Sequence, residues 1–132
     1  MVMNHFILYV RDQTRSTAFY AQVLGVEPEL NVPGMTEFRL SAETVLGLMP
    51  SAGIERLLGV AVGDAVPNAG AARAELYLVV EDAESYHRRA VEAGARELSP
   101  LSLRDWGHTV AYSIDADGYV LAFASRVPTR PN

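Results

Sequence analysis

The chain contains no cysteine, which excludes disulfides, thiolate nucleophiles and every cysteine-ligated zinc or iron–sulfur site. Nothing in its chemistry demands an oxidising compartment. Histidine is scarce, with only His5, His87 and His108 in 132 residues, and Trp106 is the single tryptophan. Basic residues are outnumbered, 11 against 16 acidic ones for a net charge of −5, and no Lys/Arg-rich stripe offers the footprint that nucleic acid needs. No apolar run approaches the roughly eighteen residues that cross a bilayer, and the N-terminus lacks a secretory pattern. The expectation is a cytoplasmic protein with neither nucleic acid nor membrane as a partner.

What is present is an ordinary globular composition, 49% hydrophobic and 20% charged, in a length that suits a single domain spanning 1–132. Within it runs a repeat. Residues 5–12, HFILYVRD, return at 75–82 as ELYLVVED, so that Leu8, Val10 and Asp12 match Leu78, Val80 and Asp82. Each octapeptide precedes a stretch with helical spacing. In the first, Phe19, Tyr20, Val23 and Leu24 recur before a stop at Gly25, with Asp12 or Thr14 as cap. In the second, Asp82 caps, Tyr86, Ala90 and Ala93 share a side, and Gly94 ends the helix. Strand-like runs follow both: TEFRLS and ETVLGLM, then HTVAYSI and YVLAFAS, the last pair joined by the hairpin signal DADG at 115–118.

The organisation is therefore α+β: two βαβββ modules in tandem, module 1 at 1–50 and module 2 at 74–127, forming a curved mixed sheet. Residues 51–73 are the connection, long enough to be a lid or an oligomer contact, with a short helix expected near Ile54 to Leu58.

Strand alternation assigns faces. Phe6, Leu8 and Val10 should lie under the first helix, leaving His5, Ile7 and Tyr9 on the concave side. Glu75, Tyr77 and Val79 occupy the same side in module 2. The final strands add Gly47 and Ala122, giving four equivalent points: His5, Gly47, Glu75 and Ala122.

The duplicated modules, HFILYVRDQTRSTAFYAQVLG at the first strand and helix, and DADGYVLAFA at the last hairpin resemble the vicinal oxygen chelate superfamily. That superfamily includes glyoxalase I, extradiol dioxygenases, fosfomycin-resistance transferases and bleomycin-resistance binding proteins, and the likeness to the small bleomycin-resistance-like members covers nearly the whole chain. In metal-dependent members, the resemblance implies, a divalent ion is held at those four points by His or Gln, Glu, His and Glu. Here His5 keeps a donor, Glu75 offers an oxygen where His is usual, and Gly47 and Ala122 offer nothing. No cofactor is expected. A weakly held divalent metal at His5 and Glu75 is the alternative, and the default is that these two pair with each other or with water.

The remaining concave residues are mostly apolar with sparse polar anchors, the composition of a small-molecule site. Tyr9, Met49, Tyr77, Trp106 and His108 are the ligand-binding candidates: the tyrosines because a buried phenol needs a partner, Trp106 as a stacking ring, His108 as anchor or base. The plainer alternatives are core packing for Tyr9, Met49 and Tyr77, an interface or loop-packing role for Trp106 and an ordinary strand-entry residue for His108. SPLSLRDWGHTVAYSIDADG, residues 99–118, resembles the groove-shaping segment of bleomycin-resistance proteins, with Gly107 letting the backbone approach. His87 is expected to be a solvated surface residue.

Two functions follow. One is a homodimeric binding protein that sequesters a hydrophobic small molecule such as an antibiotic. The other is an isomerase, lyase or dioxygenase with His5 and Glu75 as catalytic residues.

Overall fold

Both repeated segments fold as a strand, a helix and three further strands. The first comprises β1 (Asn4–Val10), α1 (Gln13–Leu24), β2 (Leu30–Val32), β3 (Met35–Ser41) and β4 (Thr44–Pro50), followed by α2 (Ser51–Leu58). The second comprises β5 (Glu75–Val79), α3 (Ala83–Glu92), β6 (Arg96–Leu103), β7 (His108–Ile114) and β8 (Val120–Arg126). The computed structural model describes residues 1–59, 61, 72 and 74–127. The chain divides into two units, Met1–Ala65 and Val66–Asn132. Each contains a four-stranded mixed sheet, ordered β1-β4-β3-β2 in the first and β5-β8-β7-β6 in the second. The first and last strands of each module pair in parallel and the remaining neighbours antiparallel, so the repeat seen in the sequence is a repeat of topology.

The helices start and stop where their terminal residues dictate. Asp12 caps α1 by accepting the Arg15 N–H, and Gly25 closes it at φ 71°, a left-handed conformation that glycine adopts without a Cβ penalty. Asp82 does the same for α3, its carboxylate taking both the N–H and the hydroxyl of Ser85. Those bonds hold its carboxyl below the usual aspartate range.

In the first unit α1 covers the face carrying Leu8, Val10, Phe38, Leu46 and Leu48, all buried together with Tyr20 and Val23 of the helix. Burying each large aliphatic or aromatic side chain contributes about 1.5–3 kcal/mol, so this layer is the main source of the unit's stability. A polar clasp crosses it. Gln13 donates to the Val32 carbonyl and the Thr36 hydroxyl, accepts the Gly34 N–H, and Thr36 also meets Thr17. In the second unit the layer under α3 holds Ala111, Ser113, Leu121 and Phe123, with the Tyr86 ring 5.5 Å from that of Phe123. The Ser125 hydroxyl accepts the Ala83 N–H, tying β8 to the first residue of α3.

The structure corrects the sequence reading at three places. Phe6, expected under α1, is 59% exposed, because the buried part of β1 begins only at Leu8. His87, expected in solvent, is buried, and its Nε2 lies 2.8 Å from Glu97 Oε2. The buried side of α3 runs through Ala83, His87 and Ala90, so helical spacing puts the imidazole on the same stripe as two small alanines. The third is α2, which begins at Ser51, earlier than the helix expected near Ile54. Most of the connection after Gly59 lies outside the described residues, and with it the lid and oligomer-contact expectations.

The outer strand of the second sheet, β6, exposes Leu98, Leu101 and Leu103. Its pairing with β7 slips twice, between Glu97 and Ser99 and between Ser99 and Ser102, around Pro100.

Candidate functional site

The face opposite α1 is built by register. Ile7 and Glu37 stand on either side of Gly47, while Val45 separates His5 from Arg39 and Tyr9 pairs with Met49. Arg39 is committed to Glu29, which it grips through Nε and Nη2. Glu37 instead reaches diagonally across β4, and its Oε2 lies 2.9 Å from Nδ1 of His5. The sequence reading had His5 pair with Glu75 or with water. In the structure His5 meets a carboxylate within the first unit.

Gly47 explains why no carboxylate stands at its own position. A Cβ built there would lie 2.5 Å from Cδ1 of Ile7 and 3.4 Å from Sδ of Met35. The space a side chain would need is filled by hydrocarbon. A divalent ion in a catalytic site takes about three protein ligands plus water. At the four positions singled out above, Gly47 and Ala122 bring no donor. Within either unit, among the described residues, no three His, Cys, Asp or Glu side chains gather. Neither unit on its own, among the described residues, supplies the donor set of a catalytic metal.

In the second unit the corresponding face carries Glu75, Tyr77 and Val79 on β5, Val120, Ala122 and Ala124 on β8, and His108, Val110, Tyr112 and Ile114 on β7. Val110, Ala122 and Ala124 form a small-residue floor against which Tyr77 and Tyr112 pack. Ala122, at the fourth of those positions, is fully buried beneath the two rings. Above it runs a hydrogen-bonded chain of three aromatic rings. Trp106 Nε1–H donates to the Tyr77 hydroxyl at 2.8 Å, and that hydroxyl lies 2.6 Å from Nδ1 of His108. An indole can only donate, so Tyr77 accepts from it and has its own proton to give to His108. The Tyr77 and His108 rings stack at 5.8 Å. Trp106 is thereby fixed at its nitrogen while 57% of the residue stays exposed.

The turn that presents Trp106 explains its neighbour. Gly107 has φ 89° with nothing within 4 Å of a hypothetical Cβ, so glycine is required for the backbone conformation and not for a close approach. Arg104, at the start of the turn, binds Ser99 Oγ at 2.8 Å and the Val110 carbonyl at 3.0 Å, and its guanidinium lies 5.2 Å from the centre of the Tyr112 ring. Burial pushes the Tyr112 phenol up, the Glu75 carboxylate pushes it further, and Arg104 partly opposes them.

The structure thus unites Tyr77, Trp106 and His108 in the second unit, and sets Tyr9 and Met49 side by side with His5 on the sheet of the first. Glu75 is exposed at the start of β5. Sequence reasoning missed Glu37, Tyr112 and Arg104. Glu37 was legible in principle, since the β3–β4 hairpin register puts it opposite Gly47, and Tyr112 shares the parity of His108. Arg104 gave no signal, because its role depends on how the turn folds back. A groove of about 670 Å³ lies on the helix side of the first unit, between Thr17, Ala21, Pro28 and Asn31. Gln13, which also lines it, already spends its amide on the β2–β3 hairpin, so the groove marks where that hairpin is fastened.

No curated protein matches the chain. Solved structures do. A glyoxalase-related enzyme from Fulvimarina pelagi superposes with a TM-score of 0.80 at 22% identity, over 94% of this chain and 87% of that one. A glyoxalase/bleomycin resistance protein/dioxygenase family enzyme from Burkholderia phytofirmans PsJN gives 0.77 at 18% identity, over 93% and 97%. A glyoxalase/bleomycin resistance protein/dioxygenase from Nocardioides gives 0.75 at 17%, over 100% and 89%. At these identities the likeness is one of fold. The model of one family matches residues 2–123, and with the tandem βαβββ topology this places the chain in the Glyoxalase/Bleomycin resistance protein/Dioxygenase superfamily.

Proposed function

We propose that this protein binds a planar, hydrophobic small molecule against the open face of the second sheet, without a catalytic metal. The supporting observation is the Trp106–Tyr77–His108 chain, which holds an exposed indole at a set orientation beside Tyr77, a ring that itself packs on the Val110, Ala122 and Ala124 cluster. A ring pinned before the ligand arrives loses little freedom on stacking, and that is how a shallow surface gains affinity. Glu75 on the same face and the net charge of −5 favour a cationic guest. Sequestration of an antibiotic by a cytoplasmic homodimer is the biological role this reading suggests.

The test uses the single tryptophan as reporter. Acridine and its amino-substituted cations are titrated into the protein, with anilinonaphthalene sulfonate as the anionic comparison. Saturable quenching by the cations that persists in EDTA supports the reading, provided that binding to Trp106→Ala, followed by the acridine's own fluorescence because that variant has no tryptophan, is lost. Absence of quenching across the series, or quenching that requires added metal, overturns it.

A further inference from the structure

The first unit carries chemistry that ligand stacking in the second does not use. His5 is on the face away from α1, its side chain 44% exposed, and its Nδ1 is 2.9 Å from Glu37 Oε2. An ionised carboxylate has no proton to give, so the hydrogen in this contact sits on Nδ1. Which ring nitrogen of a neutral imidazole carries the proton is set by the bond the other nitrogen makes. We propose that Glu37 is a positioning residue that locks His5 as the Nδ1–H tautomer, leaving the Nε2 lone pair as the proton acceptor of the first unit's open face.

The neighbours suit that role. Ile7 and Val45 lie beside His5 on the same face, and the nearest cation along its row, Arg39, is held by Glu29 and by the Ala42 carbonyl. Glu37 is therefore left to act on the imidazole. Its own side chain is 22% exposed, which keeps the carboxylate partly shielded and the contact stronger than a fully solvated pair. Gly47 contributes by omission. Glu37 reaches across β4 at the row where that strand carries no side chain. The arrangement repeats the logic by which an outer carboxylate orients a working histidine and raises its basicity. The partner it selects is a small molecule that presents an O–H or N–H to Nε2, the complement of a pure acceptor.

His108 supplies an internal contrast. Its Nδ1 lies 2.6 Å from the Tyr77 hydroxyl, which has a proton to give, so the tautomer expected there is Nε2–H, the opposite of that at His5.

The experiment records imidazole nitrogen resonances of 15N-labelled protein at mildly alkaline pH, alongside acylation of each histidine by diethyl pyrocarbonate, read by peptide mass. The expected result is Nδ1–H for His5 and Nε2–H for His108. Glu37→Ala should move His5 to Nε2–H and slow its acylation relative to His108 by about tenfold, the lower end of what losing an orienting carboxylate costs a histidine. Glu37→Gln, which keeps an acceptor oxygen and nearly the same volume, should retain the Nδ1–H tautomer and fall between the two in rate. An Nε2–H tautomer in the unaltered protein overturns the proposal, as does acylation of His5 that is unchanged or faster in both variants. Neither readout involves Trp106 or an aromatic ligand, so failure here and failure of the stacking reading are separate results.

Discussion

Gly47 and Ile7 make a coupled pair whose energetics follow from one distance. Adding a methyl at Gly47 has two opposing effects. Alanine in a strand interior gains about 0.5–1 kcal/mol over glycine, because less backbone freedom is lost on folding. Against this, the new Cβ would sit 2.5 Å from Ile7 Cδ1, far inside ordinary carbon contact, and Ile7 must leave its rotamer or push on Met35. Overpacking of this kind costs about 1–3 kcal/mol. Gly47→Ala alone should therefore destabilise by about 1 kcal/mol. In an Ile7→Ala background the obstacle is gone, and the same substitution should stabilise by about 0.5–1 kcal/mol, so the sign reverses. The four proteins of the cycle are compared by urea unfolding. Circular dichroism is the right probe, since Trp106 lies in the other unit and reports on that unit first. With a slope of about 1–3 kcal/mol per molar urea, a 1 kcal/mol change moves the midpoint measurably. Effects that add within about 0.5 kcal/mol, or that share a sign in both backgrounds, would refute the claim that hydrocarbon occupies the site of the missing side chain.

Two further outcomes are expected. Thr36 is fully buried and its hydroxyl meets Gln13, Thr17 and Asn31, so the near-isosteric Thr36→Val should cost about 1–3 kcal/mol by orphaning those partners; calorimetry giving an unchanged or higher Tm would count against the clasp. The Tyr112 phenol is raised by burial, so above about pH 10 the unfolded chain ionises there first, and stability should fall as pH climbs through that range. Denaturant midpoints that decline equally in Tyr112→Phe would show that another group is responsible.

The sequence carried the topology because the repeat, the caps and strand parity are local signals. Asp12, Gly25, Asp82 and the DADG turn each act within a few residues of themselves, and each stands where it was expected. Parity likewise placed His5, Tyr9, Glu75 and Tyr77 on the faces away from the helices. What the sequence did not show was partnership within each unit. Glu37 reaches His5 over an intervening strand, and His87 lies on the buried stripe of α3 with Ala83 and Ala90. Both depend on neighbours distant in sequence. The chain of Trp106, Tyr77 and His108 shows the same limit, since each residue was singled out alone while their bonding needs the 104–107 turn to bring the indole back over β5.

The edge strands β2 and β6, which end the sheets opposite β1 and β5, each carry a feature that discourages edge-to-edge pairing. β2 is three residues long, too brief to template a foreign strand, and β6 is kinked by two slips around a proline that has no N–H to offer. Exposed leucines on β6 thus sit on a rim poorly shaped to pair with another copy of itself. Straightening it would convert a harmless greasy border into a seed for aggregation.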